Sequence, residues 1–384
     1  MRIGECGLGT GAIIGIVVGV VVAIMVLGLS LFIRFQSTAT GANIWSYTTG
    51  DKVNSARISS DGSHVAVGGE DNTVYLFSRG SNTPLWSYKT DGPVCDVSIS
   101  SDGSYFAVGV NETMTGKVYM FAKSNNTPLW SYETSLEIGQ EVYPGYIDSV
   151  SISSDGSYVA AGSSNNKVYL FSRDGTLLWS YTTGDTVFQL SISENGEYIA
   201  AGSYDNKVYF FSRDDSTPLW IYETMGAVNS VGISSDGSYT VAGSFDQYTG
   251  EKGNVYLFSK SDNTPIWTFN PNSGIISTAI SADGSTVIAR TMLSQAKAYV
   301  FSRSDNAPLW TYDRILTFSA TSNGAYIAMG GEDGKVLLFS KSSSTPLKSY
   351  QTGDRVWSIS ISSDGAYVAA GSNDHRVYLF SGLV

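Results

Sequence analysis

The chain has 384 residues, of which 15% are charged, and a formal net charge of −11. That acidity argues against counterion-release binding to DNA or RNA, which needs a basic surface. Only two histidines and two cysteines are present, which restricts metal and acid–base chemistry; Cys6 and Cys95 lie on either side of an apolar segment and cannot staple the folded part internally.

Residues 1–11 form a short tail. Residues 12–33, "AIIGIVVGVVVAIMVLGLSLFI", are 22 uncharged positions, long enough to span a bilayer as a helix and longer than the core of a cleaved signal peptide. The expectation is a signal anchor, with "STATGA" at 37–42 leaving a cleavage alternative open. Gly11, Gly15 and Gly19 have the spacing that lets membrane helices approach, which points to weak self-association. Arg2 and Arg34 nearly balance across the segment. A short tail that stays in the cytoplasm would place the following domain on the extracytoplasmic side, where the sequons Asn111-Glu-Thr and Asn125-Asn-Thr would fit. Residues 34–42 read as a linker.

From Asn43 onward, through 43–384, the chain repeats itself. The tryptophan of "LWSY" stands at Trp45, Trp86, Trp130, Trp179, Trp220, Trp267 and Trp310, with Lys348 in the eighth place, at spacings of 38 to 49 residues. Each unit carries four short runs rich in Val, Ile, Tyr and Phe, bounded by turn residues, and so four strands. An Asp-Gly or Asn-Gly pair separates the second and third runs in all eight units, from Asp61-Gly62 to Asp364-Gly365, as tight antiparallel hairpins require. The predicted fold is all-β: an eight-bladed β-propeller with four-stranded antiparallel blades, preceded by one transmembrane helix. The strand at 43–48 should complete the last blade, 356–381, and hide the ring's edges.

The unit "VSISSDGSYVAAGSSNNKVYLFS" resembles a WD40 repeat, with Phe171-Ser172 and Phe380-Ser381 where that family has Trp-Asp. "TGD" at 49–51, 183–185 and 352–354 replaces its Gly-His, so the WD40 hydrogen-bond network is not implied. "DGTLLWSYTTGD" resembles the tryptophan-docking repeat of quinoprotein (PQQ-like) propellers, a likeness that implies packing of Trp179 against the neighbouring blade. Anchored propellers with such hybrid repeats resemble archaeal membrane proteins. Quinoprotein dehydrogenases hold their cofactor with a vicinal disulfide and metal-binding carboxylates. This sequence has no adjacent cysteines, so no cofactor, no metal and no catalysis are expected. Asp51, Asp185 and Asp354 recur at matching positions and read as solvated loop carboxylates.

The insertions fall on one face: 111–117, 134–146, 245–253 and 291–297. Extra residues on one side of a repeat array commonly mark its binding side. The candidate protein-binding face comprises Met114, Glu137, Glu141, Tyr143, Tyr146, Phe245, Asp246, Tyr248, Glu251 and Met292, with Lys252 at its rim, and Arg355, Trp357 and His375 beside it. The function expected is a membrane-anchored scaffold for a protein partner. The alternatives are a hydrolase or lyase working in the central channel, and an envelope-assembly factor resembling the quinoprotein-like propellers that help insert outer-membrane proteins.

Overall fold

The computed structural model describes residues 39–40, 43–113, 115–134, 136–138, 141–143, 145–292 and 296–382. Residues 1–40 and 41–384 form separate compact units, and the described part of the first is a two-residue strand, Ala39–Thr40. The expected membrane segment at 12–33 lies outside the described residues, among which no helix is long and apolar enough to cross a membrane.

Eight four-stranded antiparallel sheets build the second unit as an eight-bladed propeller. Blade one runs outward through Val53–Ile58, His64–Gly69, Thr73–Ser78 and Trp86–Lys89. Blades two to seven repeat that order. Blade eight takes Val356–Ile361, Tyr367–Ser372 and Arg376–Ser381 from the carboxyl end and Asn43–Thr48 from the amino end. Trp45 pairs with Leu379 and Tyr47 with Val377, so the ring closes as expected.

Burial explains the composition of each run. The middle strands of blade three, Tyr158–Ser163 and Lys167–Ser172, are buried on both faces, because a neighbouring blade covers each side and both sets of side chains must be apolar or small. The outermost strand, Leu177–Thr182, alternates exposed and half-buried residues. The cores therefore lie between blades: Ala107, Val118 and Met120 of blade two pack with Val159, Ala161, Tyr169 and Phe171 of blade three. Among the tryptophans, Trp179 donates its indole N–H to the Arg213 carbonyl of the next blade (2.7 Å). Trp45, Trp86, Trp130, Trp267 and Trp310 dock in the same way. Lys348, in the eighth place, donates its ammonium to the Gly382 carbonyl. Trp220 departs from the pattern: its indole nitrogen is buried without a partner, and the ring stacks on Phe210 at 4.9 Å.

The Asp-Gly hairpins are five-residue connections, longer than the two-residue turns that such pairs often make. In blade one the Gly62 N–H closes a turn on the Ser59 carbonyl (2.8 Å), and only Gly62 of the pair has a positive φ, +68°. Asp61 instead accepts from the Ser59 hydroxyl (2.6 Å) and the Ser63 N–H (2.9 Å). This is a type I turn closed by a left-handed glycine.

Toward the axis the innermost strands are stitched blade to blade. The N–H of Ala56 donates to Ser358 Oγ (2.8 Å), that of Val97 to Ser55 Oγ (3.3 Å), and that of Val150 to Asp96 Oδ2 (3.2 Å). Leu190, Val231 and Thr278 donate likewise to Ser149, Gln189 and Ser230. A second row joins Ile58 to Ser360, Ile152 to Ser98, Ile192 to Ser151 and Ile361 to Ser319. The serines of "SVSIS" thus satisfy edge amides that would otherwise be orphaned. Between blades six and seven, neither row makes a bond among the described residues.

Candidate functional site

Turns between first and second strands, and between third and fourth, lie on one face. Turns between second and third strands, and the connections between blades, lie on the other. On that second face the regular blades share a small network. The Gly50 N–H and the Tyr75 hydroxyl both donate to Asp71 Oδ2 (2.8 and 2.7 Å). Gly184 and Tyr209 do so to Asp205, and Gly353 and Tyr378 to Asp374. Burial, then the Asp374 carboxylate, pushes the Tyr378 phenol up to about 12. This Gly–Asp–Tyr triad ties each "TGD" connection to its adjacent turn, and it stands where the WD40 network was not implied. Asp51, Asp185 and Asp354 each accept the N–H of the next residue. No group of three His, Cys, Asp or Glu side chains converges on a metal site among the described residues.

The insertions depart from that uniform ground in two places. In blades two and three, Leu136–Ile138 and Glu141–Tyr143 pair as a small hairpin. Thr115 bridges Gly145, and the Tyr146 hydroxyl donates to the Thr113 carbonyl (3.1 Å), so two insertions form one ledge. Tyr146 is therefore spent within the ledge. Met114 and the side chains of Glu137, Glu141 and Tyr143 lie outside the described residues. Lys117 holds the ledge from below, with Glu112 at 2.6 Å and Asp91 at 3.1 Å; the hydrogen bond to Glu112 holds its ammonium above its usual range.

In blades five and six, 245–253 and 291–297 meet across a cavity of about 590 Å³ lined by Glu251, Lys252 and Met292. Asp246 accepts the N–H groups of Tyr248 (2.9 Å) and Thr249 (3.2 Å), which shapes the loop. That turn presents Tyr248 to solvent at 89% exposure. Sequence reasoning missed the residues beside it. Phe188 stacks on Tyr204 at 5.4 Å, and Tyr204 meets Phe245 edge-on at 5.8 Å. Met225 is 76% exposed on the connection from blade four to blade five. Phe188 stands where blades one, three and five carry Asn54, Asp148 and Asn229, and Tyr204 where blades one, three and seven carry Glu70, Ser164 and Glu332, a signal visible once the repeats are aligned.

The same face opens onto the central channel. Equivalent residues near the start of each innermost strand form a ring: Asn54, Cys95, Asp148, Phe188, Asn229, Ile276, Leu316 and Trp357. These line a cavity of about 450 Å³ with Arg57, Asp96 and Arg290 among its other walls. Arg57 and Asp96 pair at 3.5 Å. Burial raises the Asp96 carboxyl above its ordinary value against the pull of Arg57. The Cys95 thiol donates to the Ile147 carbonyl (2.8 Å), and burial raises its pKa strongly, so it is no nucleophile at neutral pH. Arg355 is exposed nearby. His375 stands apart, its Nε2 3.6 Å from Asp51 Oδ1.

Two groups in this cavity lack partners. Asp148 Oδ2 is buried with no hydrogen bond, and burial pushes its carboxyl up to about 7. Arg290, 5% exposed, has both Nε and Nη1 buried without acceptors, and burial pulls its guanidinium down to about 10. It occupies a glycine column. At Gly68 an added Cβ would lie 2.2 Å from Val94 of the next blade, and at Gly243 2.3 Å from Ile275. An arginine there holds the blades apart, and it stands at the one seam, between blades six and seven, where the inner strands are unstitched among the described residues.

No curated protein sequence matches this chain. The solved C-terminal WD40 domain of Sif2 superposes with a TM-score of 0.71 at 15% identity, over 89% of this chain and 98% of that one, a likeness of fold alone. The family described as outer membrane protein assembly factor BamB matches residues 33–244 and again 205–377. With six of its seven repeat tryptophans docked on the next blade, the chain belongs to that family.

Proposed function

We propose that this chain is a membrane-anchored, non-catalytic propeller that holds a protein partner on its insertion face, in the manner of an assembly or scaffolding factor. The anchor is the apolar segment 12–33, and the propeller lies on the extracytoplasmic side. The observation that carries the reading is an asymmetry. The opposite face repeats one serine–aspartate turn from blade to blade. The insertion face gathers Met225, Tyr248 and the Phe188–Tyr204–Phe245 row, exposed or half-buried, beside charged Glu251 and Lys252. Aromatic and methionine anchors inside a polar rim are the composition of protein interfaces. Membership in a family named for outer-membrane protein assembly supports the assembly role.

A photo-crosslinking side chain at Tyr248, compared with one at Asn82 on the opposite face, tests this in native membranes. A discrete protein adduct from position 248 alone is expected. Equal adducts from both positions, or none from 248, would refute the reading. Protease accessibility in intact cells tests the topology, which predicts cleavage within 134–146 from outside.

A further inference from the structure

We propose that the partner's contact segment is cationic: a stretch of chain with aromatic or aliphatic side chains set between lysines or arginines. It would seat where blades four and five meet on the insertion face. The inference rests on the partner-face reading and names the chemistry of what that face takes. It also moves the centre of contact from the insertions to positions that other units share.

Two equivalent positions differ between blades one and four. In blade one they hold Asn54 and Glu70, and the Asn54 amide donates to Glu70 Oε1 at 2.8 Å. In blade four they hold Phe188 and Tyr204, whose rings stack at 5.4 Å while Phe188 stays 38% exposed. A blade closes with the polar pair, so the fold does not require two aromatics there. The row continues outward: Phe245 occupies the Tyr204 position of blade five and meets that ring edge-on at 5.8 Å. Met225, 76% exposed, stands where other connections have Gly50, Gly184 and Gly353. A Cβ added at the next residue, Gly226, would lie 2.3 Å from the Phe245 carbonyl oxygen, so Met225 flanks the row. Four apolar departures thus gather in one patch, where independent drift would scatter them. The field over the patch is negative. Asp185, Glu223 and Glu251 are exposed around it and make no ion pair among the described residues. Against them stand exposed Lys252 and half-buried Lys207. Burial first, then Asp148 and Asp185, raises the Tyr204 phenol above its ordinary value, and no cation opposes them. Lysines or arginines on the partner answer those carboxylates while its apolar side chains cover the rings. A second copy of this chain, with a formal charge of −11, would set carboxylate against carboxylate.

The test is ligand-observed NMR on the full chain in nanodiscs of zwitterionic lipid, with empty nanodiscs as the blank. The probes are three acetylated and amidated peptides: Lys-Phe-Lys-Phe-Lys, Glu-Phe-Glu-Phe-Glu and Lys-Ser-Lys-Ser-Lys. At low salt the first should bind about tenfold more tightly than either of the others. Its lead over the glutamate peptide should shrink at about 0.5 M salt. Phe188→Asn with Tyr204→Ser, residues that blades one and three carry, should remove the advantage of phenylalanine over serine. Asp185→Asn with Glu223→Gln and Glu251→Gln should instead remove the advantage of lysine over glutamate and keep the other. Equal binding of the lysine and glutamate peptides at low salt, no binding at millimolar concentration, or an affinity that survives Phe188→Asn with Tyr204→Ser would overturn the proposal. So would self-association that those two substitutions abolish without any peptide preference, which assigns the patch to a second copy. A discrete adduct from Tyr248 in native membranes beside any of these results would leave the partner-face reading standing, so the two fail separately.

Discussion

Replacing Arg290 with methionine should make the protein more stable, although it removes one of the larger side chains from a packed seam. Burial lowers the guanidinium from its ordinary 12.5 to about 10. At about 1.36 kcal/mol per pKa unit, keeping it charged at neutral pH costs roughly 3 kcal/mol. Water entering through the channel mouth relieves part of that, and methionine forfeits the long-range attraction of Glu332. Methionine keeps an unbranched stem of similar length, so little cavity is created. The expected net gain is about 1–2 kcal/mol, in line with other buried charges replaced by apolar groups. Urea denaturation of the full chain in micelles, followed by tryptophan fluorescence, would register it as a higher midpoint with an unchanged slope. A variant less stable than the parent would mean that the guanidinium is paired and holds the seam together, and would refute the reasoning.

Asp148→Asn should stabilise the protein at pH 8 by about 1–2 kcal/mol and do nothing at pH 4. The unfolded carboxyl releases its proton near its ordinary value of 3.8, while the folded one holds it to about 7; stability is therefore lost as the pH climbs through that window. Cys95 and Tyr204 feel the charge of this group and are unchanged by the substitution, so an advantage independent of pH would refute the assignment. Among the docking tryptophans, Trp179→Phe should cost about 1–2 kcal/mol more than Trp220→Phe. The first orphans the Arg213 carbonyl, whereas the second removes an indole N–H that has no partner; equal losses in equilibrium denaturation would contradict the docking bond.

The propeller was legible because its determinants are local and repeated. An Asp-Gly pair signals a turn from two residues, and "YVAAGS" signals a strand covered on both faces. Ring closure was legible too, since the repeats begin, at Asn43, with the strand that the last unit lacks. The stitching of the inner strands was present in "SVSIS", but its meaning depends on which amide of the next blade faces each serine, a relation across about forty residues. The two orphaned charges of the channel wall were hidden for a related reason. Arg290 carries no signal until the glycine column is aligned, and Asp148 carries none until its oxygen proves buried.

A repeat protein supplies its own control, because every residue has counterparts in equivalent surroundings. Where those agree, the shared residue serves the ring: Gly68 and its equivalents allow the next blade to approach, and Ser55 and its equivalents satisfy an edge amide. A departure that costs stability needs a different reason. The insertions are weak evidence of that kind, since solvated loops drift at little energetic cost. Arg290 is stronger evidence, because it stands where the other blades have a glycine in close contact with the next blade and it buries a charge without a partner. On that physical ground Arg290, at the seam between blades six and seven, is a departure from the repeat that works against the stability of the fold.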